Sequence, residues 1–408
     1  MSDFGKTKVL LFAEFGRTGG TRTYFMQLLD FYKTHNFCVN VVSFFKPDEE
    51  VVKRCKRAGF TITHFKSYAS AYGSYQDFPF FLKKEKDFFR SLVERFAPDI
   101  VVSTVGTPGL FLGIHRLKNP GIYILHTYPT SKRKGLLRWL RSKVIRLFLP
   151  REVSYVSVSE FSKEALVKVW GLTPRTHSLP VIPNTNGPVL PEVTLPPGPW
   201  NILTVGHVIH YKNPLTWLEV AKEVCQVVPD VTFTWLGEGP DIDLCREIVS
   251  KSGFQDRILF PGNVDDVAPY YDRAHIYVQL SLIENSPFAV LEAFRRGIPC
   301  VVSNAGGLTE LADGGKSAVL VAPNAPDETR AAILSLLESK ELRATYMQAS
   351  RESYLRNHSY KDWESRIGEL HAVNEPRSAT CGKDQASHTK NAKFIGRNRR
   401  QQHHLEQQ

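Results

Sequence analysis

Short apolar, β-branched runs alternate with stretches of helical period along most of the chain. In the first half, residues 8–15, 38–44, 61–65, 100–104 and 122–126 read as buried strands. Helical stretches at about 21–33, 48–58 and 76–96 separate several of them. A strand at 154–159, a helix at 160–170 and a short last strand at 178–184 continue the series. Such alternation implies a parallel sheet covered on both faces. The pattern then breaks, because residues 187–199 carry five prolines and no helical period, as a linker does. A second α/β run starts at Trp200, with strands at 201–206, 232–237, 258–260, 276–280, 299–303 and 318–321. Its helices are expected near 214–227, 241–252, 267–272, 287–296, 308–312 and 327–337. A last amphipathic helix at 360–373 places Trp363, Ile367 and Leu370 on one stripe.

These elements predict two doubly wound α/β domains, at 1–186 and 200–358, joined by the proline-rich linker 187–199 and followed by a C-terminal helix at 359–374. A length of 408 residues agrees with two cores rather than one. Residues 375–408 hold few large apolar side chains and are expected to be a basic, disordered tail. No run is apolar enough to cross a membrane, and Glu14 interrupts the first apolar stretch, which therefore reads as a strand and not a signal peptide. The six cysteines show no C-x-x-C spacing, so reduced thiols in a cytoplasmic protein are expected.

Charge changes the picture in two places. The net charge is +11, yet residues 131–148 alone hold seven cations and no acid, and residues 376–408 hold seven against Asp384 and Glu406. The remainder is close to neutral. Within 136–148, Leu136, Leu137, Leu140, Val144, Leu147 and Phe148 fall on one helical face flanked by cations. A helix that lies on an anionic membrane surface is built this way, which suggests peripheral association at the inner face of a membrane. Nucleic acid is a poorer partner, since few aromatic residues interleave with the cations.

Candidate chemistry collects at strand ends. Gly19-Gly20 follow the first strand and can offer free N–H groups to a phosphate. In the second domain, glycine turns follow several strands: Gly206-His207 with Lys212 six residues on, Gly237 to Pro240, Pro261 to Val264, and Asn304 to Glu310. With the loop at Glu284 they make five turns on one sheet edge, where open α/β sheets bind ligands. The segment Glu284 to Glu292 sets two carboxylates eight residues apart where strand becomes helix, with Pro287 suited to the first turn. A helix start attracts phosphates, and carboxylates beside it are tolerable when they accept from sugar hydroxyls.

The order of these motifs resembles the retaining glycosyltransferases of family 4, which have the GT-B fold of two facing Rossmann-like domains. The resemblance covers roughly residues 8–374 and is most specific from Tyr270 to Glu310, where Glu284, Glu292, Gly297-Ile298-Pro299 and Gly306-Gly307 with Glu310 recur. It implies transfer of a sugar from a nucleoside-diphosphate donor to a glycan or lipid-linked acceptor, as in cell-envelope or surface polysaccharide synthesis. It implies further that Glu292 takes the ribose hydroxyls, that Glu284 stands beside the donor sugar, and that Lys212 holds the diphosphate with the N–H groups of Phe288 and Ala289. The Gly206 and Val264 turns would border the nucleotide, Gly19 and Gly20 would approach the diphosphate from the first domain, and His126 would lie near the sugar. Neither a cofactor nor a metal ion is expected. Asp241-Ile242-Asp243 have metal-like spacing but open a helix, where acids favour the dipole.

Three departures qualify the resemblance. His207 replaces the arginine that usually accompanies the lysine, which leaves Arg22 or Arg17 as substitutes; His275 replaces an aspartate, and Thr185 a glycine. His207 is the reason to keep a second expectation, a catalytically silent nucleotide-sugar-binding or membrane-associated scaffold. A dinucleotide oxidoreductase is disfavoured because residues 16–20 do not spell G-x-G-x-x-G. A glycosidase would need carboxylates on either side of the scissile bond.

Overall fold

The computed structural model describes residues 7–13, 19–43, 46–65, 83–104, 121–126, 149, 153–191 and 198–374. Arg17, the basic stretch 131–148 and the tail 375–408 lie outside the described residues.

Each half builds a six-stranded parallel sheet. The first consists of β1 (Lys8–Ala13), β2 (Cys38–Ser43), β3 (Thr61–His64), β4 (Ile100–Ser103), β5 (Gly121–Leu125) and β6 (Val153–Ser157). Its spatial order is β3-β2-β1-β4-β5-β6. The second consists of β7 (Trp200–Val205), β8 (Val231–Leu236), β9 (Ile258–Gly262), β10 (Ile276–Gln279), β11 (Cys300–Ser303) and β12 (Val319–Val321). Its order, β12-β11-β10-β7-β8-β9, is the same winding counted from the other edge. Both therefore have the doubly wound arrangement, with a switch point beside the first strand of each sheet where a ligand crevice opens. The central strands β4, β5, β10 and β11 are buried at every position, as parallel strands covered on both faces must be.

The described helices are α1 (Gly20–Thr34), α2 (Glu49–Arg57), α3 (Lys83–Phe96), α4 (Glu160–Ala165), α5 (Pro214–Val227), α6 (Ile242–Ser250), α7 (Ala268–Tyr271), α8 (Phe288–Arg296), α9 (Gly307–Leu311), α10 (Pro326–Glu338), α11 (Lys340–Asn357) and α12 (Tyr360–Asn374). Helix α4 runs on into a π-helical turn, Leu166–Trp170, that stops at left-handed Gly171. Three features differ from the sequence expectation. Residues 178–184 make only two isolated parallel bridges, Ser154 to Ser178 and Ser157 to Val181, because Pro180 and Pro183 lack the N–H groups a strand needs. Helix α11 went unanticipated, since the face it buries is Ser350, Ser353 and Tyr354 and not an apolar stripe. The last helix follows the second sheet in sequence yet returns to the first. Trp363, Ile367 and Leu370 of α12 join the core formed by α1 and β1, β2 and β4.

That return is fixed by polar contacts as well. Tyr32 Oη and His371 Nε2 are 3.1 Å apart, and His371 Nδ1 lies 2.8 Å from the Ile367 carbonyl. A carbonyl only accepts, so Nδ1 carries the proton and Nε2 accepts from the tyrosine. His358, between α11 and α12, donates from Nδ1 to the Asn184 carbonyl at 2.8 Å. Burial lowers the pKa of both histidines, and that of His126, from 6.5 to about 4. All three are neutral when folded and protonate more readily when unfolded. Their contribution is fully present above pH 6.5 and is lost as the pH falls toward 4. Urea unfolding at pH 7 and pH 5 should show a loss of about 2 kcal/mol per histidine at the lower pH. His371→Gln should remove about one such share from the difference, and an undiminished difference would contradict this assignment.

Candidate functional site

A cleft of about 640 Å³ opens between the sheets, a size usual for small-molecule sites. On one side it is walled by the turns after β7, β8 and β9, the loop after β10 and the first turns of α8; on the other it is walled by the start of α1 and the end of β5. All eleven residues singled out from the sequence border it: Gly19, Gly20, His126, Gly206, His207, Lys212, Val264, Glu284, Phe288, Ala289 and Glu292. The 304–310 turn, the last of the glycine turns on that edge, does not. Its Gly307 passes instead beneath the Glu284 loop, and its Glu310 reaches the opposite lobe.

Glu284 lies in the loop before α8, four residues ahead of Phe288, so the eight-residue spacing is not a helical one. The carboxylates nevertheless reach the same cleft. Oε1 of Glu284 accepts from Lys212 Nζ, from Gln279 Nε2 at 2.9 Å and from Ser281 Oγ at 3.0 Å. Lysine and glutamate side chains are each 12% exposed, so the pair is largely shielded from solvent. Glu292 is held differently. It accepts from Arg296, from Arg295 at 3.3 Å and from the Asn186 amide, and Arg295 also donates to the Asn186 carbonyl. The second carboxylate is thereby tied to the segment that connects the lobes. Tyr354 of α11 secures that segment further, accepting from the Asn186 N–H at 2.9 Å and donating to the Gly187 carbonyl at 2.7 Å.

Pro287 is the N-cap of α8, in extended conformation, and Phe288 and Ala289 are its first two helical residues. Their N–H groups have no intrahelical carbonyl to bond. The helix start is pinned from two directions, by Tyr271 Oη donating to the Ala289 carbonyl at 2.8 Å and by the Asn184 amide donating to the Ser286 carbonyl at 2.9 Å. Across the cleft, the Phe288 ring lies against Gly20, where a Cβ would come within 2.6 Å of it. Only glycine allows that approach. His207 Nε2 is 3.7 Å from where a Cβ of Gly19 would stand, so the two glycine turns face each other across the cleft.

His126 ends β5, with its ring edge-on to Tyr24 at 4.2 Å between centroids. Its ring nitrogens are buried and neither has a hydrogen-bond partner among the described residues. Its backbone carbonyl accepts from the Asn285 amide at 3.1 Å, and the oxygen of that amide accepts from Ser159. Glu310 of α9 completes the link by accepting from the Glu160 and Phe161 N–H groups at 3.0 and 3.3 Å, which caps α4 from the other lobe. The Glu284 loop is thus bonded to both halves of the molecule.

One sequence expectation is corrected here, and one departure from the family pattern finds its place. Arg22 does not stand in for the missing arginine, because its guanidinium is committed to Asp48 at 2.6 Å and Glu50 at 2.5 Å. His275 is buried, with Nδ1 accepting from the Asn201 N–H at 3.1 Å, and plays a structural part away from the cleft.

Residues 190–353 match the family described as Glycosyl transferases group 1, and residues 18–185 match Glycosyltransferase Family 4. The chain belongs to these glycosyltransferases. It is similar to an uncharacterised glycosyltransferase of Haemophilus influenzae, with 28% identity over 39% of this chain and 44% of that protein. It is also similar to the Escherichia coli UDP-Gal:alpha-D-GlcNAc-diphosphoundecaprenol alpha-1,3-galactosyltransferase, with 30% identity over 34% of this chain and 36% of that enzyme. These matches span less than half the length of either relative. A protein of Anabaena solved in complex with UDP and glucose superposes with a TM-score of 0.72 at 16% identity, covering 90% of this chain and 99% of that one. The common architecture is GT-B.

Within this glycosyltransferase, sequence reasoning missed Gln279, Asn285, Asn186, Arg295 and Arg296. A polar Gln279 in an otherwise apolar strand was the one readable signal. The others act through neighbours that only folding brings near. A Cβ on Gly307 would collide with the Asn285 carbonyl, lying 2.7 Å from its carbon. Gly307→Ala should therefore destabilise the fold by about 1–3 kcal/mol, read from urea unfolding. Unchanged midpoints would show that the loop yields freely.

Proposed function

We propose that the chain is a retaining glycosyltransferase that moves a sugar from a nucleoside-diphosphate donor to a glycan or lipid-linked acceptor in envelope or surface polysaccharide synthesis. The observation that carries this reading is the convergence of Glu284, Glu292, Lys212 and the start of α8 on one cleft. Breaking a glycosyl phosphate bond places positive charge on the sugar ring and negative charge on the departing diphosphate. Lys212 and the N–H groups of Phe288 and Ala289 would stabilise the leaving group, doing more in the transition state than in the ground state. Glu292 would accept from the ribose hydroxyls and Glu284 from the donor sugar. The neutral His126 would face the sugar, and Gly19, Gly20, Gly206, His207 and Val264 would border the nucleotide. No cofactor or metal ion takes part in this proposal. UDP-sugars are the first donors to test, since the Escherichia coli relative is named for one and the Anabaena protein was solved with UDP.

The test is release of nucleoside diphosphate from a panel of nucleotide sugars with lipid-linked and oligosaccharide acceptors. Lys212→Ala should cut turnover by about 10²-fold or more. Glu292→Gln should act mainly on donor affinity, and Glu284→Gln on rate and sugar choice. A chain that binds donor but turns over with no acceptor would instead be a nucleotide-sugar-binding scaffold.

For the acceptor side, the proposal extends to a membrane surface, supported by the amphipathic, all-cationic sequence of residues 131–148. The chain should co-sediment with anionic vesicles at low salt and release as salt rises. Failure to bind at low salt would refute this.

A further inference from the structure

β10 ends in Gln279, whose side chain is buried with the residue only 2% exposed. Its amide is oriented by its neighbours. Tyr277 Oη donates to Oε1 at 2.9 Å, so the donor nitrogen Nε2 must face Ser281 Oγ at 3.3 Å and Glu284 Oε1 at 2.9 Å. Burial raises the Tyr277 pKa, which keeps that phenol protonated and donating.

The side-chain hydrogen bonds of Glu284 among the described residues therefore all fall on Oε1, from one cation and two neutral donors. Oε2 accepts from none of the described residues, and Glu284 borders the cleft. Lys212 is the cation on this carboxylate and also the residue proposed to hold a diphosphate. Both demands cannot be met fully at once. A diphosphate that draws Lys212 toward itself leaves a largely shielded carboxylate beside an anion, where it either follows the lysine or is kept back by other donors.

We propose that Gln279, assisted by Ser281, retains Glu284 on the cleft wall when a diphosphate takes Lys212, so that the lysine can be handed from carboxylate to phosphate. Gln279 is a positioning residue, acting through Glu284 and without touching the donor. The inference rests on the functional reading above. It adds that diphosphate affinity depends on an amide buried behind the site, because that amide sets how strongly Glu284 competes for Lys212.

Calorimetric titration of UDP, with GDP and ADP in parallel, tests this on the wild type, Gln279→Met, Glu284→Gln and the double variant. Gln279→Met should weaken diphosphate binding by about tenfold, the scale of one hydrogen bond to a charged group. Glu284→Gln removes the competitor and should bind at least as tightly as the wild type. In that background Gln279→Met should have no further effect. Ser281→Ala, a smaller change that keeps the backbone, should act in the same direction and likewise lose its effect beside Glu284→Gln. Unchanged affinity in Gln279→Met and Ser281→Ala would overturn the handover, as would equal weakening in both backgrounds, and either result would leave the glycosyltransfer proposal standing. A wild type that binds none of the three diphosphates would overturn both.

Discussion

Two carboxylates must be kept beside a cleft whose other walls favour anions, and much of the local structure follows from that electrostatic conflict. A helix start and a lysine draw negative charge, while two glutamates repel it. The protein resolves this by giving each carboxylate its own cations. Glu284 has Lys212 and a pair of neutral donors; Glu292 has Arg295, Arg296 and an amide. Removing Lys212 would leave the shielded Glu284 carboxylate without a cation, which costs more than the pair itself contributes. The carboxylates are thus held in place before any ligand arrives.

The same bonds join the site to the frame. Asn186 lies in the segment between the sheets, yet its amide and carbonyl both belong to the Glu292 cluster. Tyr354 and His358 grip the segment from the second half, while α12 packs on the first. Asn285 and Glu310 add cross-cleft bonds at the loop beside Glu284. The proposed donor contacts and the relative placement of the two sheets accordingly share residues, so that a change at one would be felt at the other.

The conflict over Lys212 gives the site a direction. Before a diphosphate binds, the lysine neutralises Glu284; afterwards, in the proposed reaction, it neutralises the leaving group. Such an exchange works only if the carboxylate stays put, which assigns a purpose to a buried glutamine in an apolar strand. Arg22, one of the two arginines expected to make up for His207, is held instead by Asp48 and Glu50.

The sequence by itself determined the two doubly wound halves and named residues that line the cleft. Strand and helix periods, glycine turns and strand-end position are local properties, and the eleven residues chosen from them together with the family resemblance all border one cavity. It did not determine helix α11, whose buried face is polar, or the weak bridging at 178–184. Nor did it disclose which groups bond to the carboxylates. Arg295 and Arg296 read as ordinary cations in a last helical turn, Asn186 as the last residue of the first domain, and the last helix as an appendage of the second half. Their roles depend on contacts between residues up to 339 positions apart, as between Tyr32 and His371. Periodicity reports which face of an element is buried; what covers that face, and which charge meets which partner, is decided only when the halves close on each other.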